Sequence, residues 1–219
     1  MFRKLFTAAV IAAATSLAPA HAAPPALEIG YLPILPDAQL FVALEEGTLQ
    51  AKGAPAPKLV QFQSGPALTQ ALLDMDLPAG RPVAILSGNS IEHALMTQAA
   101  MQARIPAAPV SPAYSLMSQD HAKLKYLFGL VKPAVVMVQD GVMFEKALAA
   151  LDLDGITVVH VDRAPANIKS IAYADLAATP VTSAVETSIA KITPDTVGKL
   201  LFTSGSTGMP KAVINTQKM

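Results

Sequence analysis

Apolar and polar positions fall into blocks whose period changes from one block to the next. Residues 27–32 form a short apolar run closed by Pro33, which predicts a buried strand with a turn over 33–36. Residues 37–46 carry apolar side chains at helical spacing, and 58–63 read as a second strand. Ser64-Gly65-Pro66 then opens another helix, with Ser64 as its N-cap and Pro66 near the first helical position. Strand, helix, strand, helix is the opening of a parallel α/β unit, in which ligands meet helix N-termini at the carboxyl ends of the strands.

From residue 77 the pattern settles into continuous apolar runs alternating with amphipathic ones. Strands are predicted over 82–86, 134–139 and 157–161, and a Pro-broken extended segment over 105–110. Helices are predicted over 90–103, 118–131 and 142–151, with Leu124, Leu127, Phe128 and Val131 sharing one face of the second. Apolar strands between amphipathic helices imply a parallel sheet covered on both sides. Residues 179–196 read as a polar, Pro-punctuated connection, and no internal repeat is visible.

Composition narrows the function classes. The chain has 219 residues with 16 basic and 16 acidic side chains, so it offers no electrostatic footprint for nucleic acid or an anionic membrane. It has no cysteine, which excludes disulfides, thiolate nucleophiles and zinc knuckles without fixing a compartment. The N-terminus does suggest one. Arg3 and Lys4, the apolar stretch 5–18 and the small-x-small run Ala20-His21-Ala22 make residues 1–22 a secretory signal peptide. The apolar stretch is shorter than the roughly 18 residues a membrane span requires, so no stable insertion is expected after cleavage.

Chemistry concentrates near the C-terminus, in Leu200-Leu201-Phe202-Thr203-Ser204-Gly205-Ser206-Thr207-Gly208-Met209-Pro210-Lys211-Ala212-Val213-Ile214. A strand enters a loop of hydroxyls and glycines and a second strand leaves it. Gly205 and Gly208 allow close backbone approach and can supply positive φ, while hydroxyls and successive N–H groups can donate to phosphate oxygens. Lys211 adds a mobile positive charge. The loop suits a polyphosphate, yet it is not a Walker loop, because Pro210 stands where that pattern places the glycine before its lysine. The alternative is an ordinary surface hairpin.

The run resembles, almost letter for letter, the phosphate-binding signature of the adenylate-forming superfamily of acyl-CoA synthetases, luciferases and peptide-synthetase adenylation domains. Within it, the stretches 81–95, 109–116 and 213–217 are most similar to feruloyl-CoA synthetases, and the resemblance covers 72–219. It implies ATP-dependent activation of a hydroxycinnamate-like carboxylate to an acyl-adenylate, then capture by CoA as a thioester, with Mg accompanying the ATP. It also implies that Thr203, Ser204, Gly205, Ser206, Thr207, Gly208 and Lys211 hold the β- and γ-phosphates. No catalytic residue and no metal ligand is assigned. Asn89 and His93 lie on an apolar helix, where a hydrogen-bonded structural role is the expectation. His121, His160 and the methionines lack metal-ligand spacing, and Glu45 and Glu46 read as a solvated helix end.

Residues 23–71 resemble something else. Ile29-Gly30-Tyr31-Leu32-Pro33 and Phe62-Gln63-Ser64-Gly65-Pro66-Ala67-Leu68 are similar to the start of periplasmic binding proteins for nitrate, sulfonate and taurine. That resemblance implies an anion pocket lined by Gln39, Ser64, Gly65 and Ala67, although Ser64 reads equally well as a simple helix cap. The expected fold is therefore α/β, with parallel sheets flanked by helices. It comprises an incomplete adenylate-forming N-terminal domain over 72–219, preceded by a short βαβα segment, with the join between 67 and 77. Most of the adenylating active site is expected to be missing, and with it activity by this chain alone. Three readings stand: a synthetase fragment, the anion-binding component of an ABC transporter, or a chimeric product without function.

Overall fold

The computed structural model describes residues 28–31, 38–61, 64–203 and 208–219. The proposed signal peptide, the turn over 33–36 and the central residues Ser204, Gly205, Ser206 and Thr207 of the glycine-rich loop lie outside the described residues. The chain divides into two compact units, one running to Val60 and the other from Gln61 onward.

In the first unit, strand β1 (Glu28–Tyr31), helix α1 (Ala38–Glu45), helix α2 (Thr48–Ala51) and strand β2 (Lys58–Gln61) follow the predicted order, with α2 added, and the strands form a two-stranded sheet. The added helix starts from Gly47, whose φ of 63° lies in the left-handed region that glycine adopts without strain. Glu45 and Glu46 are exposed, as expected of a solvated helix end.

The second unit is a seven-stranded sheet. Its elements run α3 (Ser64–Asp74), β3 (Val83–Leu86), α4 (Ile91–Gln102), β4 (Ala107–Pro109), a π-helical turn (Ala113–Met117), α5 (Ala122–Val131), β5 (Val135–Val138), α6 (Glu145–Ala149), β6 (Thr157–His160), β7 (Ile171–Ala172), α7 (Tyr173–Ala177), α8 (Ser183–Ala190), β8 (Val197–Phe202) and β9 (Ala212–Thr216). The strand order is β7-β6-β5-β3-β4-β8-β9, parallel throughout except for the antiparallel β8–β9 hairpin. Every position of β3 and β5 is buried, which explains why they read as unbroken apolar runs rather than alternating ones. Ala84, Leu86, Val136 and Val138 join Leu124, Leu127 and Phe128 of α5, Leu148 of α6 and Phe144 just before it in one core. Strand period two turns Val83, Ile85, Val135 and Met137 to the opposite face. Helix α3 packs against α4, α7 and α8.

Three elements depart from the sequence pattern. The helix predicted from 118 begins at Ala122, because Ser118 Oγ accepts the His121 N–H (3.0 Å) and Asp120 Oδ1 accepts the Ala122 N–H (3.1 Å), capping it there. Residues 142–144 form a turn, so the helix predicted over 142–151 shortens to α6. The polar connection expected over 179–196 contains α8. Its buried face includes Ser188, whose Oγ donates to Gln102 O at the end of α4 (2.9 Å) and accepts from Arg104 Nε (3.3 Å). A serine on the inner face thins the apolar signal that would have marked the helix.

Side chains tie both ends of the strands. At the amino ends of the strands, the Arg81 guanidinium donates to Lys132 O (2.9 Å), Pro133 O (2.7 Å) and Gly155 O (3.4 Å), joining the entrances to β3, β5 and β6. At the carboxyl end of β5, Asp140 accepts from the Met143 N–H (2.9 Å) and Arg163 Nε (2.8 Å). Gly141 fits beneath the same segment, where an added Cβ would collide with the Arg163 carbonyl and the Pro165 ring.

Candidate phosphate-binding site

The hairpin that carries the glycine-rich loop is closed at its mouth by two residues of the motif. Thr203 N–H donates to Lys211 O at 3.0 Å, and Lys211 N–H donates to Thr203 Oγ1 at 3.4 Å. These contacts continue the ladder in which Phe202 faces Ala212 and Leu201 faces Val213. Pro210 is buried, whereas Thr203, Gly208 and Lys211 are exposed. The hairpin thus anchors the two ends of the loop through its backbone and leaves the polar groups of its ends open to solvent.

A Cβ at Gly208 would meet no atom within 4 Å. Crowding within the described residues does not call for glycine at this position. What remains is the open space beside its backbone, which a ligand could use.

The carboxyl edge of the parallel strands also carries a polar cluster. Ser87 follows β3 and its Oγ lies 2.8 Å from His93 Nδ1, which is 3.2 Å from Gly88 O. Ser90 caps α4 by accepting the His93 N–H at 3.1 Å, and its hydroxyl also donates to Gln139 Oε1 at 2.8 Å, bridging the loops after β3 and β5. His93 is thus hydrogen-bonded through its ring, and Asn89 is exposed. His160 Nδ1 pairs with Ser170 Oγ at 2.9 Å, and His121 is buried. The Ser87–His93 and Ser90–Gln139 pairs carried no motif signal in the sequence. The first is local to the turn between β3 and α4, and the second, 49 residues apart, becomes meaningful only once the strand order is known.

The anion pocket implied by Gln39, Ser64, Gly65 and Ala67 is not brought together in one unit. Gln39 lies on α1, while Ser64, Gly65 and Ala67 belong to α3 of the second unit. Gly65 and Ala67 are buried, and the Gly65 carbonyl accepts from Thr69 Oγ1 at 3.1 Å. Among the described residues no group of three or more His, Cys, Asp or Glu side chains could hold a metal ion, and no helix is long and apolar enough to cross a membrane.

Comparison with known proteins gives the arrangement a family context. The sequence pattern of the family described as AMP-binding enzyme matches residues 67–219. No curated protein matches the chain. Among solved structures, a red-emitting luciferase from Phrixothrix hirtus is 19% identical, aligning 72% of this chain with 38% of that one at a TM-score of 0.53. ATP-bound MatB from Rhodopseudomonas palustris is 22% identical over 71% of this chain and 28% of its own, with a TM-score of 0.54. A benzoate CoA ligase from Burkholderia xenovorans LB400 is 14% identical over 72% of this chain and 28% of its own, also at 0.54. At these identities the likeness is one of fold, and the chain spans 38% or less of each protein's length.

Proposed function

This chain belongs to the AMP-binding enzyme family, and on that premise we propose that residues 67–219 contribute the phosphate-binding part of an ATP-dependent acid–thiol ligase. In the proposed reaction a carboxylate oxygen attacks the α-phosphorus of ATP and the bond to the bridging oxygen breaks, releasing pyrophosphate. The CoA sulfur, losing its proton to solvent, then attacks the acyl carbon and AMP leaves. The observation that carries this reading is the hairpin loop whose ends are held by Thr203 and Lys211 while its glycine at 208 faces open space.

In this reading Thr203, Ser204, Gly205, Ser206, Thr207 and Gly208 offer hydroxyl and backbone N–H donors to the β- and γ-phosphate oxygens. Lys211 offsets negative charge there. Mg²⁺ arrives with the nucleotide phosphates, since it favours phosphate oxygens and water over a dedicated protein cage. The acyl substrate is a hydroxycinnamate-like aromatic acid, a reading supported by the likeness of the stretches 81–95, 109–116 and 213–217 to feruloyl-CoA synthetases.

Two further parts of the proposal concern the N-terminal third. Residues 1–22 direct export and are removed, and 23–71 derive from a periplasmic binding protein for nitrate, sulfonate or taurine, with the synthetase part filling 72–219. These rest on the sequence features given above. An exported chain carrying a site for ATP is not a coherent enzyme, so these parts together imply a fused product.

Calorimetric titration of the chain with Mg-ATP tests the site. We expect saturable binding that weakens about tenfold in Lys211→Ala, the equivalent of about 1.4 kcal/mol. Absence of binding, or binding indifferent to Lys211, would reject the phosphate-site assignment. Taurine and nitrate serve as competing ligands, and failure to bind either class would leave the chimeric reading without function. Mass measurement of the chain recovered from a bacterial periplasm decides whether residues 1–22 are cleaved.

A further inference from the structure

The amino ends of the strands hold a hollow that the proposed ATP site does not use. Its volume is about 660 Å³, a size usual for small-molecule sites. All its lining residues fall between 81 and 156, away from the glycine-rich loop. The floor is apolar, made by Phe128 of the core and by Leu151 and Ile156 packed against that core.

Charge is sorted between its sides. Helix α5 and its C-cap bring Lys125, Gly129 and Lys132 to one side, since they are spaced at successive helical turns. The connection from α6 to β6 brings Asp152 and Asp154 to the same hollow, with Asp152 Oδ1 accepting the Asp154 N–H at 3.1 Å. Among the described residues neither lysine forms an ion pair with either aspartate. Arg81 lies between the two sides. Its Nε and Nη2 are occupied by the Lys132, Pro133 and Gly155 carbonyls, and its Nη1 donates to no group among the described residues.

Gly129 gives a second indication. A glycine inside a helix is less stable there than alanine, and crowding does not call for this one, because an added Cβ would meet nothing within 4 Å. Its missing side chain leaves bare helix backbone beside the hollow, where a flat group can lie close.

We propose that this hollow binds a small zwitterion with an apolar body, an amino acid with an aromatic side chain. The carboxylate accepts from Arg81 Nη1 and the Lys132 ammonium, the amino group donates to Asp152 and Asp154, and the ring lies over Gly129 against Phe128, Leu151 and Ile156. A simple anion would leave both aspartates unanswered, and a simple cation would leave the lysines and Arg81 so. A zwitterion answers both sides.

Isothermal titration calorimetry of the full chain tests this with L-phenylalanine, with phenylpropionate, which lacks the amino group, and with phenylethylamine, which lacks the carboxylate. L-Phenylalanine is expected to bind saturably with a Kd of about 0.1–1 mM, the range suited to a ligand of its size. Each truncated probe is expected to bind at least about tenfold more weakly. Gly129→Leu fills the hollow while keeping every charge and improving helix propensity, so binding is expected to vanish with no fall in melting temperature. The double change Asp152→Asn, Asp154→Asn is expected to erase the preference for L-phenylalanine over phenylpropionate, a result that neither misfolding nor an amino-acid site elsewhere on the chain can imitate. No binding of L-phenylalanine, equal binding of the three probes, or L-phenylalanine binding indifferent to either variant would each overturn the proposal.

Discussion

The neighbouring residues Asp140 and Gly141 carry opposite kinds of constraint. Gly141 is fixed by space, since the Arg163–Pro165 segment leaves no room for a Cβ. Asp140 is fixed by charge. The donated Met143 N–H, and beyond it the Arg163 guanidinium, hold its carboxyl below the ordinary aspartate value of 3.8. A depressed carboxylate contributes stability that is present above the ordinary value and is lost as pH falls through the folded one. Asp140→Asn should therefore be less stable than the parent at pH 5 to 8 by a constant margin, and the margin should close below pH 3.8 in urea titrations run across that range. Arg163 is largely exposed, so added salt should shrink the margin as well. Gly208 poses a different test. With open space around it, Gly208→Ala should leave the stability within about 0.5 kcal/mol of the parent's in thermal melting. The same change should weaken Mg-ATP binding in calorimetry, because the added methyl occupies the space assigned to the phosphates.

Among elements, α8 shows most clearly where sequence pattern and structure part. Strands β3, β5 and β6 and helices α4 and α5 were legible because their apolar positions follow a simple period, and Leu124, Leu127 and Phe128 are buried on the face the spacing assigned. The α8 stretch was read as a connection because Ser188 takes a buried place that an apolar residue would normally fill. Its hydroxyl satisfies the Gln102 carbonyl left open at the end of α4, a need that no local window of sequence reveals. Ser188→Ala should consequently cost about 1–3 kcal/mol despite the better helix propensity of alanine, seen as a lower urea midpoint with an unchanged slope. The glycine-rich loop was legible for a different reason, since its letters form a motif. The Thr203–Lys211 clasp at its mouth was not, because it depends on hairpin register. The polar pair Ser90–Gln139 was hidden likewise, as it joins loops that only the strand order makes adjacent.

At the scale of the molecule the two units are held by unequal means. None of residues 40–59 is buried, whereas the second unit encloses two helix-covered faces of one sheet. The buried apolar side chains among the described residues all lie from Ala67 onward. Arg81 gives that sheet a property distinct from its equilibrium stability. Its three bonds reach 51, 52 and 74 residues along the chain, so they close only after β3, β5 and β6 have found one another. Interactions made that late lie beyond the folding barrier and act on the rate of escape rather than the rate of entry. Arg81→Ala should steepen neither limb of the folding chevron but raise the unfolding rate roughly threefold to tenfold while leaving the refolding rate nearly unchanged. One guanidinium at the end of the sheet remote from the glycine-rich loop would then serve as a latch on the lifetime of the native state.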